Sequence, residues 1–161
     1  MKILGIDPGS SRCGYGLIEK DGSKLSLLEY GLIEIKEKDI NQKLFYLTND
    51  FKKILKKTKP DLMAIEKIYF SKNVKTGIEA AQARGVLIAL TLQEQIPLTE
   101  HNPSEIKLSV TGYGLSDKKA VAKMVAVILQ IPPLKVIDDI TDALAIAITA
   151  SNKNFSSSAY R

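Results

Sequence analysis

Residues 2–7 read Lys2-Ile3-Leu4-Gly5-Ile6-Asp7, and Pro8-Gly9-Ser10 follow. An apolar run of this length, closed by a turn signal, is a buried β-strand. Its last residue is a carboxylate. Burying an unpaired charge is costly, so Asp7 needs a reason to stand there. A second segment has the same form: Asp61-Leu62-Met63-Ala64-Ile65-Glu66 is apolar on both faces until its final acid. A strand apolar on both faces belongs in the middle of a sheet covered on both sides, as central parallel strands are.

The rest of the chain is placed around these two strands. Residues 13–19 form a strand, Lys20-Asp21-Gly22-Ser23 is a hairpin turn in which Asp-Gly tolerates positive φ, and residues 25–35 form a third strand. These three make an antiparallel meander. The period then changes. Leu44, Leu47, Phe51, Ile54 and Leu55 share one face of a helix that Asp39 and Gln42 open as a capping box and Pro60 follows. Beyond the strand at 61–66, a long helix is expected over 74–94, with Ile78, Ala81, Gly85, Ile88 and Leu92 in steps of three and four. Ala81, Gly85 and Ala89 put small groups on successive turns, so something packs close there: the sheet, or a second subunit. Residues 97–101 give a fifth short strand. Asn102 caps a short helix with Pro103 at its first position. After the loop Gly112-Tyr113-Gly114, Ser116 is expected to cap a helix to about 129, with Val121, Val125 and Ile128 inward. Ile131-Pro132-Pro133 breaks it. The final helix begins near Asp138 or Asp139 and turns Leu144, Ala147 and Ile148 to the core. The expected organisation is one domain over residues 1–150 and a polar tail over 151–161.

Composition narrows the function classes. A chain of 161 residues with 45% hydrophobic and 25% charged residues is one globular domain, not a disordered segment. The lone Cys13 excludes a disulfide framework and a cysteine-rich zinc site, and the lone His101 excludes a multi-histidine metal site. No apolar run approaches the roughly 18–20 residues of a membrane span. The run before Asp7 is too short for a signal peptide, so the cytoplasm is the expected setting. The net charge of +5 permits a polyanionic partner. Any metal must be a hard one held by carboxylates.

Asp139 and Asp142 stand three apart, on one face at the start of the final helix. Sites in open α/β sheets form beyond the carboxyl ends of the central strands. If the strands ending in Asp7 and Glu66 are neighbours, their carboxylates lie side by side, and a helix laid across that edge brings Asp139 and Asp142 to them. Such a cluster repels itself, so either some members take raised pKa values or cations neutralise them. Mg²⁺ is the expected cation, and two such ions about 4 Å apart would clamp a phosphodiester for in-line attack. The plainer alternatives are a helix-dipole role for Asp139 and Asp142 and a turn role for Asp7. Glu66 is the hardest to explain that way.

At these residues the chain resembles the RuvC family of bacterial Holliday-junction resolvases. The resemblance runs in order through Gly5-Ile6-Asp7-Pro8-Gly9 with Gly14-Tyr15-Gly16, Ile65-Glu66 followed by Asn73, Gln82-Ala83-Arg84-Gly85, Pro103-Ser104-Glu105-Ile106-Lys107 through Gly112, and Asp139-Ile140-Thr141-Asp142-Ala143-Leu144-Ala145. It implies an α/β fold of ribonuclease H-like type, a five-stranded mixed sheet flanked by helices on both faces. It implies a homodimer that nicks four-way DNA junctions in symmetric pairs, with Mg²⁺ as cofactor (two ions per site, Mn²⁺ able to substitute). It implies catalytic, metal-holding carboxylates at Asp7, Glu66, Asp139 and Asp142; Asp138 has no counterpart in the family pattern and reads as a helix cap. Tyr69 matches the family's junction-facing aromatic, with Phe70 a second candidate, and Lys107 and Lys118 match its functional lysines. Partners of the RuvA/RuvB branch-migration type and a preference for T-rich cleavage sites are implied in the same way.

The residues themselves agree. Tyr69 and Phe70 follow Glu66 directly, where aromatics can wedge into unstacked bases. Lys72, Lys75, Lys107, Lys118, Lys119 and Lys123 flank the same edge and can pair phosphates, whereas Lys52, Lys53, Lys56, Lys57 and Lys59 read as a solvated helix face. Three other readings compete. A different metal-dependent nuclease of this fold would cut another substrate. An actin-like ATPase would need a second phosphate loop and a second domain, for which there is no room. A non-catalytic junction binder would have lost carboxylates that are all present.

Overall fold

The computed structural model describes residues 1–68 and 74–153. The strands are β1 (Lys2–Asp7), β2 (Arg12–Asp21), β3 (Lys24–Glu34), β4 (Leu62–Glu66) and β5 (Leu98–His101), in one sheet of order β3-β2-β1-β4-β5. β1, β2 and β3 form the antiparallel meander, with Gly22 at φ +58° in its turn. β4 runs parallel to β1, and β5 parallel to β4. The helices are α1 (Ile40–Thr58), α2 (Val74–Gln93), α3 (Pro103–Thr111), α4 (Lys118–Leu129) and α5 (Asp138–Ser151).

The sheet is buried on both faces, which is why its central strands read as unbroken apolar runs. Ile3, Ile18, Leu62 and Ala64 face α3, α4 and α5. Leu4, Ile6, Leu17, Met63 and Ile65, with Cys13, face α1 and α2. Lys52, Lys53, Lys56 and Lys57 form the exposed side of α1, as expected, and Lys59, its C-cap, is exposed as well. From Ile140 to Ser151 every residue of α5 except Asp142 is buried.

α5 lies closer to the sheet than ordinary side chains allow. A Cβ on Gly5 would stand 2.1 Å from the Ala143 carbonyl oxygen, and one on Gly14 would stand 2.0 Å from that of Asp139. One on Gly16 would meet the Leu144 side chain at 2.5 Å. Gly5 and Gly16 face each other across the β1–β2 ladder, and Gly14 is opposite Asp7. The three glycines form a trough into which the helix backbone sinks.

Four expectations change. The buried face of α2 is Ala83, Leu87, Leu90 and Thr91, while Ile78, Ala81, Gly85, Ala89 and Leu92 are exposed. Small residues on a helix do not mark which side meets the sheet when larger apolar groups lie a third of a turn away. Asp117, not Ser116, caps α4 by accepting the Ala120 N–H at 2.8 Å, because Ser116 is engaged with Thr111. Asp138 is the first helical residue of α5 rather than its cap, a position held by Ile137. Ser151 closes α5 and is buried, so it belongs to the domain, and residues 154–161 of the expected tail lie outside the described residues.

α3 is seated by a polar network. His101 is fully buried, with Nδ1 3.1 Å from Glu105 Oε1 and Nε2 3.2 Å from Thr99 Oγ1. Lys153 reaches the same Glu105 oxygen at 2.9 Å and ties the end of α5 to the start of α3. Burial keeps His101 below the usual imidazole range, against the pull of Glu105. The Lys153 hydrogen bond, with His101 and the Asn102 N–H adding to it, holds the Glu105 carboxyl down at about 2.

Two outcomes follow from this packing. Gly14→Ala should lower stability by about 1–3 kcal/mol or more, since a backbone carbonyl cannot move aside cheaply. Gly77→Ala, on a helix position with open space, should raise it by about 0.5–1 kcal/mol. Urea unfolding midpoints separate them. Because the folded value of Glu105 lies below its ordinary 4.5, the stabilisation it gives is complete above that value and is lost as pH falls through about 2. Glu105→Gln should therefore lower the unfolding midpoint at pH 7, and the gap from the parent should close progressively between pH 5 and pH 2.

Candidate active site

The register of β1 and β4 decides where the acids meet. Ile3 pairs with Leu62, Gly5 with Ala64 and Ile6 with Ile65. One step further, Asp7 and Glu66 end their strands side by side on the sheet's carboxyl edge. Side chains alternate along a strand, so Ile3, Gly5 and Asp7 point to one face, as do Leu62, Ala64 and Glu66. That face is the one α5 covers.

The end of β4 is held from both sides. The Arg84 guanidinium donates to the Glu66 carbonyl at 3.0 Å and also pairs with Glu100. The Lys67 N–H continues the ladder to the His101 carbonyl at 2.9 Å. The motif Gln82-Ala83-Arg84-Gly85 thus contributes an anchor for the strand that carries Glu66.

Asp7, Glu66 and Asp142 line a single cleft of about 300 Å³ with Lys107 and Lys118, over a floor of Pro103, Ile106, Val121 and Ile146. Burial pushes the Asp7 carboxyl up to about 7, with Asp142, Glu66 and Asp139 adding to it. Burial likewise raises Glu66 and Asp142, each against the opposing pull of Lys118. The cleft therefore gathers three carboxyl groups that burial and mutual repulsion make reluctant to ionise. A larger cleft of about 460 Å³ opens where Pro60 leads into β4, but its lining of Lys52, Lys56, Lys59 and Glu94 brings no acids together.

Basic side chains hold two of the acids. Lys118 Nζ lies 3.2 Å from Asp142 and 3.6 Å from Asp138. Arg12 Nε lies 3.1 Å from Asp139, which is turned to the hairpin and does not line the cleft. In this arrangement no three Asp, Glu, His or Cys side chains among the described residues converge on one point. The donors nevertheless suit a hard dication, being all carboxylate oxygens. The competing contacts come from long side chains, Arg12 being 52% and Lys118 64% exposed. Such solvated cations are loosely held beside the charge of a dication.

Of the remaining candidates, Lys107 and Lys118 are in the cleft. Lys119 and Lys123 line a separate apolar groove beside Ala122, Ala126 and Val127. Tyr69, Phe70 and Lys72 lie outside the described residues. Arg12 escaped the sequence reading. The signal available for it was its place two residues before Gly14, the partner of Asp7 in the hairpin.

Residues 3–150 match the family model for crossover junction endodeoxyribonuclease RuvC. A relative of that name from Thermosipho melanesiensis is 45% identical over 148 residues, covering 91% of this chain and 94% of its own. Another from Fusobacterium nucleatum is 42% identical over 154 residues, covering 94% and 80%. Among solved structures, Thermus thermophilus RuvC in complex with a Holliday junction substrate superposes with a TM-score of 0.85 at 25% identity, covering 92% of both chains. The yeast mitochondrial Holliday junction resolvase shares the fold at a TM-score of 0.72 and 14% identity, covering 92% of this chain and 77% of its own. The five-stranded mixed sheet with helices on both faces is thus the ribonuclease H-like fold of these neighbours, and the chain belongs to the RuvC family of crossover junction endodeoxyribonucleases.

Proposed function

We propose that this protein resolves four-way DNA junctions by paired, symmetric nicks in strands of like polarity, with a divalent metal held by Asp7, Glu66, Asp139 and Asp142. The observation that carries this reading is the meeting of Asp7, Glu66 and Asp142 in one cleft of a RuvC-family chain. The Thermus thermophilus relative solved with a Holliday junction supports the substrate. Mg²⁺ is the expected ion, two to a site, with Mn²⁺ able to substitute. Bound there, it supplies Lewis-acid stabilisation of the attacking and leaving oxygens.

The chain's own residues do the rest. Asp7 and Glu66 sit on strand ends fixed by the sheet, so their backbone positions are set before substrate arrives. Asp142 and Asp139 come from a helix packed against those strands. Lys118, poised beside Asp142, and Lys107 on the facing helix offer cations to a phosphate entering between them. Tyr69 and Phe70 are proposed to contact unstacked bases beyond Glu66, and Lys72 and Lys119 the flanking phosphates.

Two opposed nicks need two active sites, and one chain supplies one. A homodimer is therefore part of this reading. Ala81, Gly85 and Ala89 support it, since they form an exposed stripe on α2 and a Cβ on Gly85 would meet nothing within 4 Å. A stripe of this kind lets a second backbone approach closely, and two-fold symmetry makes the contact self-complementary. A branch-migration complex of the RuvA/RuvB type is the proposed partner. No helix among the described residues is long and apolar enough to cross a membrane, and the cytoplasm is the proposed setting.

Glu66→Gln should reduce junction cleavage by orders of magnitude while binding persists, because lysine–phosphate contacts carry binding. Gel assays with a synthetic four-way junction and Mg²⁺ read both quantities, and normal cutting by this variant would remove Glu66 from the site. Gly85→Leu should fold, since its side chain enters open space, yet sediment as a monomer at micromolar concentration where the parent sediments as a dimer. A variant as dimeric as the parent would place the interface elsewhere.

A further inference from the structure

Residues 112–117 join α3 to α4, the two helices that put Lys107 and Lys118 into the cleft. Short connectors are usually polar. This one holds out Tyr113 at 61% exposure and Leu115 at 78%, next to the exposed Leu108 of α3. Its backbone is fixed. Gly112, at φ +78°, closes α3 with its N–H on the Leu108 carbonyl at 2.9 Å. Thr111 Oγ1 accepts the Tyr113 N–H at 3.1 Å and lies 2.7 Å from Ser116 Oγ. The Ser116 N–H donates to the Tyr113 carbonyl at 3.1 Å.

The loop is also seated at the cleft. A Cβ on Gly114 would stand 3.3 Å from the Ser104 carbonyl oxygen, and Ser104 follows Pro103, which lines the cleft. The loop that carries the exposed Tyr113 thus packs on the first turn of α3, whose Pro103 lines the carboxylate cleft. Lys107 on α3 and Lys118 at the start of α4, the helices this loop joins, both line the cleft, and Lys119 follows Lys118 in the chain. Asp117 is occupied in capping α4, and Lys118 is shared with Asp138 and Asp142.

We infer that Tyr113, assisted by Leu115, is a DNA-contacting finger that packs its ring on a base face opened at the junction while the neighbouring lysines hold phosphates. An aromatic ring set among cations is the combination that grips unstacked nucleic acid. A rigid loop loses little backbone freedom on binding, and Tyr has only two side-chain torsions to fix. DNA is the favoured occupant over a protein because substrate reaching the cleft must pass its rim. The inference rests on the junction-nuclease reading of that cleft.

The test is binding of metal-free protein to a labelled four-way junction across a salt series, beside a linear duplex of the same length. The parent should prefer the junction. Tyr113→Ala should bind the junction roughly 5- to 100-fold more weakly, the range expected for losing one stacked aromatic. The slope of affinity against salt should stay unchanged, since no cation is lost. Tyr113→Phe should stay within about twofold of the parent, because the ring makes the contact. Leu115→Ser should weaken junction binding in the same direction, and thermal midpoints should not move for side chains this exposed. Parent-like junction affinity in Tyr113→Ala overturns the finger, as does an equal loss in Tyr113→Phe. Should Tyr113→Ala fail to fold, Tyr113→Leu decides in the same way: weakened binding supports the ring contact and parent-like binding overturns it. A parent with no preference for the junction overturns instead the reading on which the finger rests.

Discussion

The close contact between α5 and the β1–β2 hairpin is the constraint on which the site depends. Gly5, Gly14 and Gly16 remove the side chains that would otherwise hold the helix off the sheet. The helix then carries Asp142 to the edge where β1 and β4 end in Asp7 and Glu66. The requirement is geometric. An alanine at Gly14 would sit inside the contact distance of a backbone carbonyl, and moving that carbonyl moves Asp139 with it. The nearly continuous burial of α5 supplies the apolar contact that holds the helix in the trough.

The electrostatics follow from that geometry. Burial first, and mutual repulsion second, raise Asp7, Glu66 and Asp142 together, so a chain whose net charge is +5 gathers at one edge three acids that ionise reluctantly. Lys118 at Asp142 and Arg12 at Asp139 offset part of the repulsion through contacts that are partly solvated. Sites that must take up a cation and a polyanion in turn are well served by basic groups of this sort, long and weakly held. The framework around them is firmer. Arg84 fixes the end of β4, and the network that runs from buried His101 through Glu105 to Lys153 fixes α3 and with it the backbone of Lys107.

Much of this was legible in the sequence because it rests on local patterns. Two apolar runs ending in acids marked the central strands, and the acids at the start of the final helix pointed to the same edge, where Asp142 lines the cleft while Asp139 turns to Arg12. What escaped was whatever depends on a partner distant in the chain. The trough glycines are unremarkable in a one-dimensional pattern, because the helix they admit lies more than a hundred residues later. The stripe Ala81, Gly85 and Ala89 left two directions open, and only the placement of Leu87 and Leu90 turned it outward. Ser116 and Asp117 are both competent caps, and the Thr111 hydroxyl decided between them. Arg12 could not be paired with Asp139 before the helix was laid across the hairpin.

The central claim is that α5 and the two strand ends together make a cation site. Anomalous diffraction from crystals soaked in Mn²⁺ tests it most directly. The account predicts a peak in the cleft at coordination distance, about 2–2.5 Å, from Asp7 and from at least one of Glu66 and Asp142, with Lys118 drawn away from Asp142. Ordered crystals with no peak there, or with Mn²⁺ bound only at other carboxylates, would contradict it.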